Sequence, residues 1–449
     1  MRNLKRAFWG THLVLLILWL IAEPTVLQST GFSGPRRAVV QLTGIVAIAC
    51  MSLAMVLALR PLWPQAWLGG LDKMYRLHKW LGISSLAIAI IHWLWAKWPD
   101  WVAGSGRLER PVRGPRGAIE HPVAAWLSNQ RSVAEHLGEW AFYAIVVLIA
   151  AALVQRIPYR LFYKTHRLLA LAYLALAFHA IALMRFAYWA SPVGWLTAAL
   201  LAGGTWAAVM VLLRRVGVSR RVEGTILSLH RFAEVRSLEI EAEARGWPGH
   251  KPGQFAFATF DASEGAHPYT IASGWRRDNP RITFVVKELG DHTDRLRENL
   301  HVGQAVTIEG PYGCFTFDDG SARQIWIGGG IGITPFIGRM KQMAQAQADR
   351  DWPAGQQVDL FHSTADVDPE ALDKLAADAK SANVRLHLLI DSRDGLLTGE
   401  RLRAAIPDWR EASIWFCGPA AFGDSLKRDL AAHGYPVDRH FHQELFAMR

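Results

Sequence analysis

The sequence predicts a multidomain protein: an all-α bundle of six transmembrane helices, then an antiparallel β-barrel, then an α/β unit on a parallel sheet. Three observations carry that expectation. Hydrophobic residues make up 51% of the 449 residues, with 20 Trp among them, and they concentrate before about residue 214 in uncharged runs long enough to span a bilayer. Beyond that point charges recur every few residues, as in a water-soluble fold. Two of the apolar runs also carry paired histidines, which are expensive in hydrocarbon unless something engages them.

Six spans can be read, over residues 7–27, 38–59, 78–97, 139–156, 166–184 and 190–213. The first follows "MRNLKR" and so has the basic flank of a secretory signal. No small-residue cleavage site follows it and the run continues into "WLIAEP", so it is read as a span. Lys and Arg set the orientation. Arg2, Lys5 and Arg6, then Arg60, Lys73, Arg76 and Lys79, then Arg156, Arg160, Lys164 and Arg167, then Arg214, Arg215, Arg220 and Arg221 all fall on one side. The other side has Arg36, Arg37, Arg185 and a long loop, 97–138, in which acids dilute the bases. A multi-pass protein of the cell membrane with both termini in the cytoplasm is expected. Much of the net charge of +10 sits at these loop ends, where the lipid bilayer is the partner, so nucleic acid is not. Cys50, Cys314 and Cys417 offer neither a disulfide framework nor zinc spacing, and suit a reduced cytoplasm.

The third span, in "RLHKWLGISSLAIAIIHWLW", places His78 and His92 fourteen residues apart, and the fifth, in "YKTHRLLALAYLALAFHAI", places His166 and His179 thirteen apart. Both spans run in the same direction, so His78 and His166 share the inner level and His92 and His179 the outer, roughly 20 Å away. Two stacked bis-histidine haems would fill that arrangement. Singly, each histidine would read as a core residue hydrogen-bonded between helices, and His12, with no mate, keeps that reading; His121 and His136 read as surface residues of the outer loop. Fourteen steps of about 100° bring His78 and His92 to nearly one face, whereas thirteen fall about 140° short of whole turns. The fifth span is therefore expected to be tightened or bent, or to meet haems turned relative to each other.

Three domains are expected: residues 1–215 in the membrane, 218–318 as the barrel and 322–449 as the α/β unit. The alternation in "VEGTILSLHRFAEVRSLEIEAEA" and the Gly- and Pro-punctuated strands after it suggest the barrel. Next, "RQIWIGGGIGITPFIGRMKQMAQAQA" reads as a strand, a glycine loop and an amphipathic helix, followed by further strand and helix alternation. The glycine loop departs from the dinucleotide-binding spacing, and alone it reads equally as a tight turn.

Its neighbours narrow the choice. "HPYTIAS", "KELGDHTDRL", "EGPYG" and "CGP" follow one another as in ferredoxin-reductase-type flavoproteins, and with "LDKMYRLHKWLG" and "FYKTHRLLALAYLALAFH" nearly the whole chain resembles the transmembrane ferric reductase and NADPH oxidase superfamily. The resemblance implies FAD, NAD(P)H and two b-type haems as cofactors, with His78, His92, His166 and His179 on iron. It gives the flavin to His267, Pro268, Tyr269 and Thr270, where His267 replaces the family's usual arginine, and the FAD pyrophosphate to Gly290, His292 and Thr293. The nucleotide phosphates fall to Gly328, Gly329, Gly330 and Gly332, with Thr334 and Pro335 opening the helix whose amino end favours anions. Cys417, Gly418 and Pro419 match the segment beside the nicotinamide, and Phe446, in "FHQELFAMR", matches the aromatic that covers the flavin until nicotinamide displaces it. Three residues follow Phe446, a departure from the family's pattern. In "IDSRDG", Ser392 and Arg393 match a serine-arginine pair that holds the extra phosphate of NADPH, while Thr364 and Ala365 supply no arginine after "DLFHS"; Arg393 reads equally as a solvated loop arginine beside Asp391 and Asp394, so NADH and NADPH both stay open, with the expectation leaning to NADPH.

The implied activity is transfer of electrons from cytoplasmic NAD(P)H through FAD and haem to an acceptor outside, either oxygen, giving superoxide, or a ferric chelate. Arg37 and Arg185 read as interfacial anchors or as an attraction for an anionic acceptor. The alternative is an electron-transfer subunit that feeds a periplasmic redox protein, like the haem subunits that serve methionine sulfoxide repair.

Overall fold

A computed structural model describes residues 1–24, 33–104, 121–154, 156–262, 264–288, 296, 299–348 and 356–444. The chain divides into two compact units, one of Met1–Leu68 with Lys73–Val216, the other of Gly217 onward with the short segment Gly69–Asp72.

Six helices of the first unit are long and apolar enough to cross a membrane. They are α1 (Arg2–Ala22), α2 (Ser33–Ala58), α3 (Leu71–Gly104), α4 (Arg131–Leu153), the pair α5 (Tyr159–His166) and α6 (Leu168–Leu183), and α7 (Pro192–Leu212). Several start before the apolar runs of the sequence, because helical hydrogen bonding continues into the polar flanks where hydropathy has already fallen. The first ends sooner than the expected 27: α1 stops at Ala22, ahead of Glu23 and Pro24, since a residue preceding proline is driven out of the helical region. Outward faces are apolar too: Ile21, Val147 and Trp206 are exposed, which suits lipid and not water. Of the two alternatives left by the histidine spacing, the fifth span shows the irregular helix. Its helical pattern breaks at Arg167, immediately after His166, and Ala170 N–H reaches back to Arg167 O, a tightened turn.

The second unit holds two sheets. Strands β1 (Arg221–Phe232), β2 (Ser237–Glu243), β3 (Phe255–Thr259), β4 (His267–Thr270), β5 (Arg281–Lys287) and β6 (Ala305–Tyr312) form an antiparallel sheet in the order β4-β3-β6-β1-β2-β5. A bridge between Ile271 and Phe284 joins its two edges at one point, so the sheet curls around a core of Ile226, Ile240, Phe284 and Ile308. Inward residues alternate with outward ones along β2, as a half-buried strand requires.

The second sheet is parallel, in the order β11-β10-β7-β8-β9, from β7 (Arg323–Gly329), β8 (Gln357–Thr364), β9 (Arg385–Ile390), β10 (Ser413–Cys417) and β11 (Phe441–Gln443). Helices α8 (Thr334–Ala348), α9 (Pro369–Ser381) and α10 (Ala420–Ala432) alternate with these strands. β7 is first in the chain yet central in the sheet. β8 and β9 lie to one side of it and β10 and β11 to the other, so the order reverses there, where ligands of such sheets bind beyond the carboxyl ends of the strands.

Candidate functional site

The four membrane histidines meet in two pairs. The rings of His78 and His166 lie 5.9 Å apart and those of His92 and His179 6.4 Å apart, centroid to centroid. Imidazole nitrogens each about 2 Å from one metal ion put ring centroids roughly 6 Å apart, so both pairs have the spacing of axial ligands. Nδ1 of His78 is 2.8 Å from Ala54 O, that of His92 is 3.0 Å from Val40 O, and that of His179 is 2.8 Å from Ala134 O. A carbonyl can only accept, so in these three rings Nδ1 carries the proton and Nε2 keeps its lone pair, the state a metal ligand needs. Among the described residues no three His, Cys, Asp or Glu gather as a metal cluster. Each pair could supply two ligands, too few for a bare zinc ion and the number an iron in a macrocycle would need from the protein.

Glycines make room for these rings. A side chain at Gly138 would run into the imidazole of His179, and one at Gly44 would stand 3.2 Å from Cε1 of His92. Neither glycine stands out in the sequence, and the three carbonyl acceptors have no sequence signal, because every residue carries one. His12 differs: both ring nitrogens are engaged, with Phe8 O at 2.8 Å and Ser84 Oγ at 2.7 Å. Arg185 pairs with Glu23, which also accepts from Tyr188 Oη at 2.6 Å, so its charge is already met by a carboxylate.

In the second unit His267, Pro268, Tyr269 and Thr270 constitute β4, the strand at one end of the antiparallel sheet's order. Thr270 is buried, and Tyr269 is half-buried with its ring against Phe260 and Phe284. Nearby, buried His250 accepts from Trp247 Nε1 at 3.3 Å and donates Nε2–H to Ser273 O at 2.9 Å; burial lowers its pKa to about 4. Gly290, His292, Thr293 and Phe446 lie outside the described residues.

The glycine turn is built between strands. Parallel register sets Gly328 level with Cys417 on one side and His362 on the other. Gly330 has φ 56°, a left-handed conformation that favours glycine. A Cβ at Gly332 would strike the carbonyl of Cys417, and one at Gly329 would come 3.0 Å from Pro419 and 3.5 Å from Gly418. The turn and the Cys417–Gly418–Pro419 segment are therefore one surface. Thr334 Oγ donates to Ile331 O at 2.8 Å, closing the turn as it enters α8, and Thr334 and Pro335 are both buried. Cys417 is wholly buried, and desolvation pushes its thiol well above the usual range, so it is a neutral, apolar wall and not a nucleophile. His362 and Ser363, buried at the carboxyl end of β8, were not candidates in the sequence; their place beside the glycine strand is the signal that could have found them. Arg393 is exposed and ion-paired with Asp394.

A family model for the ferric reductase like transmembrane component matches residues 43–177, and one for an FAD-binding domain matches residues 233–316. Among curated proteins, a glycine betaine monooxygenase reductase subunit of Chromohalobacter salexigens is 27% identical over 219 residues, 44% of this chain and 56% of that one. A flavohemoprotein of Xylella fastidiosa is 29% identical over 211 residues, 44% of this chain and 51% of the other. The chain spans about half the length of the curated relatives it matches. Among solved structures, the ferredoxin reductase of carbazole 1,9a-dioxygenase aligns with TM-score 0.42 and 21% identity, over 50% of this chain and 69% of that one. The FAD/NAD-binding domain of a nitric oxide dioxygenase from Vibrio cholerae aligns with TM-score 0.43 and 16% identity, over 50% and 98%.

Six helices long and apolar enough to cross a membrane, a ferric reductase like transmembrane component and an FAD-binding domain define the class as a multi-pass membrane protein with a flavin-binding domain. The ferric-reductase-like transmembrane domain followed by an FAD-binding domain matches a fused ferric reductase and NADPH oxidase-like architecture.

Proposed function

We propose that this protein oxidises NAD(P)H in the cytoplasm and delivers the electrons, through FAD and two b-type haems, to an acceptor across the membrane. The observation that carries the reading is the pairing of His78 with His166 and of His92 with His179, with Nδ1 of three of them held on a helix carbonyl. When bound, FAD takes the electron pair of a hydride and releases it singly, and haem iron carries one electron at a time.

The chain's own residues hold and orient. Nε2 of His78, His92 and His179, together with the ring of His166, would hold the iron, and Gly44 and Gly138 leave room for the rings of His92 and His179. His267, Pro268, Tyr269 and Thr270 line the flavin, with Gly290, His292 and Thr293 at its pyrophosphate. Gly328, Gly329, Gly330 and Gly332 let the backbone approach the nucleotide phosphates at the amino end of α8, behind Thr334 and Pro335. Cys417, Gly418 and Pro419 form the floor under the nicotinamide, and Phe446 covers the flavin when the nucleotide is away. The basic loop ends support cytoplasmic termini. The proposed domain limits are residues 1–215, 218–318 and 322–449.

The acceptor is a small molecule, oxygen or a ferric chelate. The test is purified protein in detergent, loaded with FAD and haem and supplied with NAD(P)H, followed for superoxide and for ferrous iron. Two acceptor molecules reduced per nucleotide oxidised is the expected stoichiometry. Reduced haem that turns over with neither acceptor points instead to a periplasmic redox protein as recipient, and haem that NAD(P)H leaves oxidised under anaerobic conditions refutes the whole reading.

A further inference from the structure

The carboxyl ends of β8 and β9 lie to one side of the glycine turn. In a sheet of this kind the ribose nearer the adenine is met there, by a carboxylate that accepts the 2′-hydroxyl or by an arginine that holds a 2′-phosphate. Both residue types are present, and the structure distinguishes them. Register sets Ser363 beside Leu389 and Thr364 beside Ile390, so Asp391, the next residue, emerges next to Ser363. Ser363 Oγ donates to Asp391 Oδ1 at 3.1 Å. No cation pairs with Asp391 among the described residues.

Arg393, Arg401 and Lys287, described cations of this region, already have partners. Arg393 donates to Asp394 three times, from Nε at 3.0 and 3.2 Å and from Nη2 at 2.9 Å. Asp394 is in turn held in place by the N–H of Ile390 at 2.9 Å. Arg401 Nη1 donates to the carbonyls of Asp394, Gly395 and Leu396, at 2.5, 3.2 and 3.1 Å. Lys287, reaching in from the other sheet, meets Asp366 at 2.5 Å. A 2′-phosphate would have to pull Arg393 off Asp394 and then face two carboxylates, one of them without a counter-ion. A ribose hydroxyl asks for none of this, since Asp391 has a second oxygen to accept it.

We infer that the site selects NADH over NADPH, with Asp391 as the specificity-determining residue. It accepts the ribose 2′-hydroxyl of NADH and repels the added phosphate of NADPH, while Asp394 keeps Arg393 from compensating. The inference rests on the nucleotide-site reading given above.

Its test uses the full chain in detergent with FAD bound. Titration calorimetry with NAD+ and NADP+ gives the ratio of affinities without turnover, and ferricyanide reduction with NADH and NADPH gives the ratio of kcat/KM. NADH should be favoured by about tenfold or more, the scale of one unit charge facing a phosphate in a partly screened site. Asp391→Asn keeps an oxygen for Ser363 and removes the charge. Asp394→Asn keeps an acceptor for the Ile390 N–H and releases Arg393. Each should shift the ratio toward NADPH by about fivefold or more, chiefly through a lower KM for NADPH. Equal weakening of both nucleotides in Asp391→Asn, or an unmoved ratio in both variants, overturns the assignment. So does a parent protein that prefers NADPH and loses that preference in Arg393→Ala. Stoichiometric FAD with no heat from either nucleotide is a separate failure: it removes the nucleotide site itself, and the inference with it.

Discussion

If the histidine pairs hold two haems as proposed, Gly138→Ala should cost one of them. Gly138 lies one turn from Ala134 on α4, and the ring of His179 rests against both. An added Cβ would lie 2.6 Å from Cε1 and from Cγ of that ring and closer still to Nδ1, where ordinary contact begins near 3.4 Å. Clearing the two carbons alone takes a retreat of about 0.8 Å, and clearing Nδ1 takes more; taken along the bond to Ala134 O, this stretches 2.8 Å past about 3.6 Å, beyond hydrogen-bond range. Metal-binding geometry tolerates about 0.5 Å, and loss of the partner that orients a ligand lowers metal affinity about 10- to 100-fold. Two other glycines are internal controls. At Gly44 the new Cβ would be 3.2 Å from Cε1 of His92, which a shift of about 0.2 Å relieves, and at Gly82 nothing lies within 4 Å. All three changes replace glycine by a better helix former, worth up to about 1 kcal/mol, so a weakened helix cannot explain a loss at Gly138 alone. Pyridine haemochrome content per purified chain should read about one haem for Gly138→Ala and about two for Gly44→Ala and Gly82→Ala. Two haems retained in Gly138→Ala, or as large a loss in Gly82→Ala, would refute the reasoning.

His92→Leu and His78→Leu should each leave one haem per chain by the same measurement, and two haems still bound in either would remove that histidine from the iron. The segment from about residue 218 onward should fold alone, bind FAD and oxidise NAD(P)H with a soluble artificial acceptor, because its two sheets share one compact unit; a well-folded product that is colourless and inactive counts against the flavin reading. In that segment the folded state holds the pKa of His250 near 4, while the unfolded chain takes up a proton near 6.5. The unfolded state therefore binds more protons between those limits, and stability that is complete above about pH 6.5 falls by roughly 3 kcal/mol as the pH drops to about 4. Thermal melts across that range should show the slope in the parent and a shallower one in His250→Gln, and identical slopes would exclude His250 as the cause.

The sequence by itself determined what depends on composition and short-range order. Apolar runs long enough for a bilayer mark the six spans whatever their neighbours are, since burying a helix in lipid is a property of the segment. The histidine spacing put two histidines at each of two depths and left a choice between an irregular fifth span and haems turned relative to each other, and the helix breaks beside His166. Strand alternation and the "GGGIGITP" turn marked the two soluble sheets, because a left-handed glycine and a helix start are local features. Tertiary structure alone decided the rest. Which carbonyl holds each imidazole, and that Gly138 is the surface His179 leans on, depend on helices far apart in the chain, and a backbone oxygen leaves no trace in residue type. Cys417 reached the glycine turn through strand register, which no local pattern encodes. Arg393 shows the difference most plainly: the sequence offered it either to a phosphate or to its acidic neighbours, and the fold pairs it with Asp394, because the effect of a charge depends on what lies within a few ångströms of it.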